Sequence, residues 1–295
     1  MALSIGTNDG AMRASQAASI AARGMEASME RLTTGKRINS ASDDAAGVAI
    51  SSRLSAEVRG TNQSVRNALD AQALLDTAEG SHKEIENVLQ RMREIAVQSA
   101  NDTNNTQDRL NLQTEMNAMI KEIDRISHST TWAGQNLLDG DTNGDPDTNA
   151  AFSFQVGSAT GTQNQISVNI GSTTAESLSL THTDGNSLAI VIADATATAN
   201  GRTATEHVTG NAATTAAGNA MVTIGVIDAA IEEINTQRST LGATSNRLNH
   251  TVNNLTNISA NLSSAQGRIQ DADFAKETTN LAKNQILQQA STAML

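Results

Sequence analysis

Cysteine is absent from this chain of 295 residues, so neither a disulfide frame nor thiol chemistry is available to it. Aromatic side chains are nearly absent too: Trp132, Phe152, Phe154 and Phe274 are the only four. A compact enzyme of this size uses far more aromatic bulk in its core. Basic charge is outweighed, 20 Lys and Arg against 31 Asp and Glu, which leaves a formal net charge of -11. With no cationic stripe to neutralise phosphates, a nucleic-acid partner is excluded. Long hydrophobic runs are missing, and the longest, Leu188 to Ala193, is far too short to span a bilayer. The opening Met1-Ala2-Leu3-Ser4-Ile5 has neither the basic region nor the apolar core of a cleaved secretory signal. That points to the cytoplasm unless another export route reads a different signal.

What the chain has instead is heptad patterning at both ends. From Ile227 the apolar positions run Ile227, Ile231, Ile234, Leu241, Leu248, Val252, Leu255 and Leu262, with Arg238 and Ser245 filling the seam between them. Leu112, Met116, Met119, Ile123 and Ile126 repeat the alternating steps of four and three, as do Ala18, Ala22, Met25, Met29 and Leu32. A 3.5-residue repeat keeps one stripe against a partner helix along its whole length. Such stripes cannot be buried by one helix, so the two ends must pack on each other or on further copies.

The order of elements follows from where the period changes. Residues 1–32 read as an amphipathic helix, broken at Thr33-Thr34-Gly35-Lys36. Ser40-Ala41-Ser42-Asp43 fits a capping box, with Asp43 and Asp44 suited to the positive end of a helix dipole. A proline-free stretch from Ala46 to about Ala100 predicts one long helix, and a second from about Gln107 to Ser127 returns antiparallel after a polar turn. Phe152–Val156 and Ile166–Ile170 alternate as half-buried strands do, so the spacing predicts a hairpin. Residues 171–215 are rich in Thr, Ala, Gly and Asn, with one strand-like stretch at Leu188–Ile192. Helix resumes near Gly218, reaches about Gln270, and after a joint at Arg268–Asp273 a last helix runs to Leu295. The fold class is mainly α: a long antiparallel helical bundle formed by both chain ends, around a small middle that contains a β-hairpin.

Four segments in order resemble bacterial flagellin. They are Glu30–Gly47 (ERLTTGKRINSASDDAAG), Gln90–Asn101 (QRMREIAVQSAN), Asn235–Ala243 (NTQRSTLGA) and Arg268–Ala275 (RIQDADFA). The resemblance implies a structural subunit, not an enzyme, that self-assembles into the helical flagellar filament. It implies an inner-tube domain with linker over 1–45 and 269–295. An outer-tube helical domain with the hairpin covers 46–178 and 215–268, and a small surface insertion covers 179–214. The implied partners are many copies of the same chain, an export chaperone, the filament cap and hook-associated junction proteins. The implied location is extracellular, reached through the flagellar type III channel without a cleaved signal. Arg91, Ile95 and Glu115 fall where flagellins seen by the flagellin-sensing Toll-like receptor carry an arginine, an aliphatic residue and a glutamate, so the free monomer is expected to engage that innate immune receptor there. Two other readings stay open: a hook–filament junction protein, and a soluble signalling coiled coil of the chemoreceptor type.

Residues that carry chemistry elsewhere are few. His82, His128, His182, His207 and His250 lie apart, with no second His or Cys beside any of them, so zinc has no ligand set. No nucleophile elbow or phosphate-cradling glycine loop is present. Asp139, Asp141, Asn143, Asp145 and Asp147, with Gly144 at the sixth position, match the start of a Ca2+ loop. Position twelve is Ala150 where a calcium loop has a bidentate Glu, and an acidic solvated turn is the competing reading. No other cofactor is expected.

Overall fold

The computed structural model describes residues 8–140, 150–180 and 216–293. Along these, the elements are α1 (Asp9–Thr34), α2 (Ala45–Ser99), α3 (Thr106–Ser129), β1 (Thr131–Trp132), β2 (Gln135–Asn136), β3 (Ala150–Gln155), β4 (Gln165–Ile170), α4 (Ala216–Gln270) and α5 (Phe274–Ala293). The Leu188–Ile192 stretch and nearly all of the expected insertion lie outside the described residues. The chain divides into two compact units, Met1–Gln63 with Leu255–Leu295, and Ser64–Asn254. Both boundaries fall inside long helices, α2 and α4.

The first unit pairs the ends of the chain. Asn8 caps α1 through its side chain, which accepts from the Ala11 amide at 3.2 Å, and Gly35 closes the helix in a left-handed conformation at φ 69°. Here glycine is needed, because a side chain at that φ would clash with its own backbone. The capping box expected at Ser40–Asp43 is not the start of α2. Asp43 instead accepts from the Asn39 and Ser40 amides at 3.0 and 2.9 Å, closing the turn before the helix. Those two backbone donors hold the Asp43 carboxyl below the usual carboxylate range. Asp44 is the residue that caps α2, accepting from the Gly47 amide at 2.9 Å. Asp273 does the same for α5, accepting from Ala275 and Lys276.

Helices α1 and α5 run antiparallel, since Arg31 meets Glu277 and Gly24 lies against Asn284. The α1 residues taken out of water are Ala14, Ala21 and Ser28, one every seven positions. On α5, Glu277 and Ser291 are buried and Leu281, Asn284 and Gln288 half-buried, on steps of four and three. The seam is therefore narrow and largely polar. Met29, expected on the buried stripe, is exposed; the small residues let the two backbones approach, and that turns the bulkier side chain outward.

The second unit holds the hydrophobic core. Along α2, Leu75, Ile85, Leu89, Met92 and Ile95 are fully buried against Met116, Ile120 and Ile123 of α3 and Ile227, Ile234, Leu241 and Leu248 of α4. Asn105 and Asp108 form a reciprocal capping box at the start of α3. At ~25 cal/mol per Å2 of apolar area, each such Leu or Ile contributes roughly 2 kcal/mol. Strands β3 and β4 pair antiparallel with Phe152 opposite Val168 and Phe154 opposite Ile166. Ile166, Val168 and Ile170 turn inward from β4, and the Phe152 and Phe154 rings stack with centroids 6.4 Å apart. A second, two-residue pairing, β1 with β2, turns through Ala133 (φ 50°) and Gly134 (φ 84°). It delivers Leu137 and Leu138 into the core.

Candidate functional site: assembly and recognition surfaces

The first functional candidates are helix surfaces. The first is the outer face of the terminal pair. Met12, Ile20 and Met29 on α1, and Phe274, Ile286 and Leu287 on α5, are all exposed, with Phe274 at 68% and Ile286 at 64%. A monomer in water gains nothing by presenting these large apolar residues, and six of them on two short helices are surface that neighbouring copies can cover. The apolar periodicity finds part of this: Ala18, Ala22, Met25 and Leu32 are half-buried and Met29 alone of that stripe is exposed, while the fully buried positions of α1 are the small Ala14, Ala21 and Ser28. The seven-residue spacing of Ala14, Ala21 and Ser28 was the available signal.

A second candidate lies across α2 and α3. Arg91 of α2 donates from Nη2 to Oε1 of Glu115 on α3 at 3.1 Å, and from Nη1 to Oε2 of Glu94 at 2.8 Å. The structure thus brings Arg91 and Glu115 together, with side chains 52% and 40% exposed. Beside them is a shallow cavity of about 360 Å3 floored by Val88, Ala118 and Met119. Ile95 does not share this face. It is fully buried, because four residues turn a helix about 40° past one full turn and bring Ile95 onto the core stripe with Leu89 and Met92. Any contact by this surface involves Arg91 and Glu115 without Ile95.

The seam of the second unit carries the charged position noted in the heptads. Arg238 of α4 binds two carboxylates of α2: Glu79 at 2.8 Å, and Glu86. Between them along α2 sits His82, with no exposed surface and with neither ring nitrogen hydrogen-bonded. Burial first, and the Arg238 charge second, push its pKa down to about 4. His128 is exposed, its Nδ1 2.7 Å from the Asp124 carbonyl oxygen, and His250 is exposed on α4. His182 and His207 lie outside the described residues.

Of the acidic loop, only Asp139 is described. It is buried, and its carboxylate accepts from the Asn136 side-chain amide. Asp141, Asn143, Asp145 and Asp147 lie outside the described residues, and Ala150 is the first residue of β3. Among the described residues no three His, Cys, Asp or Glu side chains converge as a metal ion requires, and no helix is long and apolar enough to cross a membrane.

Residues 5–143 match the family described as the bacterial flagellin N-terminal helical region, and residues 224–295 match its C-terminal helical region. Polar flagellin F of Vibrio parahaemolyticus is 34% identical, with all of this chain and 96% of that protein covered. Flagellin C of Vibrio cholerae is 33% identical over the same shares. Among solved structures, a putative flagellar hook-associated protein from Vibrio parahaemolyticus superposes with a TM-score of 0.58 at 15% identity, covering 78% of this chain and all of that one. At that identity the likeness concerns the fold alone. The Bacillus cereus flagellin crystal structure aligns at 27% identity over 68% of this chain and 94% of the other, with a TM-score of 0.45.

Proposed function

The chain belongs to the bacterial flagellin family, and on that premise we propose that it is a subunit of the flagellar filament whose terminal helix pair assembles against other copies. The single observation that carries this is the number of large apolar residues that α1 and α5 leave exposed. Met12, Ile20, Met29, Phe274, Ile286 and Leu287 have no partner within their own unit that takes them out of water. Burying them against neighbours supplies the hydrophobic term that holds a polymer together. Electron microscopy of the purified protein tests it: long helical filaments are expected, and protein that stays soluble and unpolymerised at every concentration overturns the reading.

The same premise extends to export and partners. The subunit leaves the cell through the flagellar type III channel, escorted by a chaperone, and meets the filament cap and the hook-associated junction proteins. The absence of cysteine supports passage as an unfolded chain, because no disulfide can lock a folded state beforehand. As a monomer it engages the flagellin-sensing Toll-like receptor through Arg91 and Glu115. Their exposure and their position beside an apolar hollow suit a planar donor fork that can be recruited by a partner's carboxylate or carbonyl groups. Receptor binding by depolymerised protein is expected to weaken at least ~10-fold in Arg91→Ala; equal binding by two well-folded proteins removes Arg91 from the contact.

A further inference from the structure

In the first unit, a cavity of about 650 Å3 opens between the segment after α1, the start of α2 and the end of α4. Its composition is one-sided. Lys36 and Arg59 bring positive charge, Ser52 and Ser55 bring hydroxyls, and no aspartate or glutamate lines it. Gln270 sits on the wall with its carbonyl oxygen already taken: Ser51 Oγ donates to it at 3.2 Å and Gln266 Nε2 at 3.5 Å. That leaves the Gln270 amide N–H groups as donors with no partner among the described residues. Among the described residues neither Lys36 nor Arg59 has a carboxylate within ion-pair distance, whereas Arg31, Arg91, Arg93, Arg109, Arg125 and Arg238 do. In a chain this acidic, a cavity that gathers two unpaired cations and unspent donors is built for an anion.

Charge is also divided unequally between the two units. The first holds ten Lys and Arg against nine Asp and Glu, and the second holds ten against twenty-two. We propose that the Lys36–Arg59 cavity receives carboxylate side chains from the second unit of a neighbouring copy, so that it is an electrostatic register point between subunits. This rests on the filament reading above. The apolar faces of α1 and α5 supply adhesion without direction, whereas a cation pair set in a donor-lined hollow accepts a carboxylate at one place only. Complementary charge of this kind fixes register and speeds encounter more than it adds affinity.

Carbodiimide, which joins a lysine to a carboxylate only when the two are already in contact, tests this directly. In assembled polymer, mass spectrometry is expected to find Lys36 joined to an Asp or Glu within 64–254, and in dilute monomer that product is expected to be missing. A polymer without the Lys36 product, or a monomer that gives it equally, overturns the proposal. Arg59→Glu is expected to raise the critical concentration for polymerisation at least tenfold with helicity and melting unchanged, and Arg59→Gln less so. Arg53→Glu, exposed on the same helix but outside the cavity, is expected to polymerise as the wild type does. Equal defects in the Arg53 and Arg59 variants point to net charge and sink the site. Failure of the wild type to form any polymer sinks the filament reading itself, whereas normal filaments from Arg59→Glu sink only the cavity.

Discussion

Arg31 on the first helix and Glu277 on the last stand 246 positions apart in the chain and meet in an ion pair of 3.2 Å. The pair is lopsided: the Glu277 side chain is 8% exposed and that of Arg31 32%. Asn280 also donates to the Glu277 carboxylate, so the acid is held from two sides. Among the described residues of α1 and α5 it is the buried charged side chain, and with Arg31 it ties the two helices to one register.

That asymmetry sets the order of two mutations. Glu277→Ala removes the buried charge and lets Arg31 swing into water, whereas Arg31→Ala strands a carboxylate that cannot. A stranded buried charge costs more than a lost pair. Arg31→Ala is expected to loosen the terminal pair by about 2 kcal/mol and Glu277→Ala by about half of that. Hydrogen exchange of amides in α1 and α5 measures both; the reverse order would show that the seam is wetter than its burial indicates.

Gly47 offers a contest between propensity and packing. Alanine in a helix is favoured over glycine by ~1 kcal/mol. Here a Cβ would stand 2.5 Å from Asp44 Oδ2 and 2.6 Å from Ile38 Cδ1, and so would displace the residue that caps α2 together with a buried side chain. A lost cap alone costs about 1 kcal/mol. Gly47→Ala is expected to be net destabilising by roughly 1 kcal/mol, and Asp44→Ala by a similar amount. A gain in melting temperature for Gly47→Ala would mean that the cap shifts to another donor at no cost.

Much of this architecture is legible in the sequence because the helices are long, free of proline and bounded by recognisable residues. The long helix expected over 46–100 is α2 at Ala45–Ser99, and the hairpin around Phe152 and Val168 is where alternation puts it. Three things were not legible, each for a physical reason. The fully buried positions of α1 are the small Ala14, Ala21 and Ser28, so Met29, although on the apolar heptad stripe, lies outside while Met25 and Leu32 on that stripe stay half-buried. Ser40-x-x-Asp43 has the spacing of a capping box, but only half of its bonds form: Asp43 accepts from the Ser40 amide, while the Asp43 amide donates to the Ser40 backbone carbonyl and closes a turn. Arg91 and Ile95 look alike in position at four residues apart, yet that spacing straddles the edge of the core stripe, with one side chain exposed and the other buried. Arg91 and Glu115 meet across α2 and α3, whereas Ile95 lies in the core.

Removing either end of the chain separates assembly from folding. Deleting 1–32 or 272–295 deprives the remaining terminal helix of its partner, and isolated helices of this length are marginal in water. The core around Ile85, Met92, Ile123 and Ile234 lies entirely within 64–254. Each deletion is therefore expected to abolish polymerisation in sedimentation while leaving a cooperative thermal transition in circular dichroism. Filaments of normal length from either variant would place the subunit contacts elsewhere.

His82 makes the stability of the second unit depend on pH in a definite direction. Its folded pKa of about 4 lies below the unfolded value of 6.5, so the fold favours the neutral ring. Between those two values the unfolded chain binds a proton that the folded chain does not, and stability rises with pH across that window. Above 6.5 the His82 contribution is flat, and below 4 the full penalty has been reached. At 1.36 kcal/mol per unit, the penalty approaches roughly 3 kcal/mol. The Arg238 charge held beside it by Glu79 and Glu86 repels a second cation there. His82→Leu fills the same apolar surroundings, removes two unsatisfied nitrogens and cannot titrate. Urea unfolding of both proteins at pH 7.5 and pH 4.5 isolates the effect, because the carboxylates titrate alike in the two chains. The advantage of His82→Leu over the wild type is expected to grow by about 2–3 kcal/mol on acidification. Parallel pH profiles would mean that the buried ring finds a proton acceptor, and its low pKa would have to be abandoned.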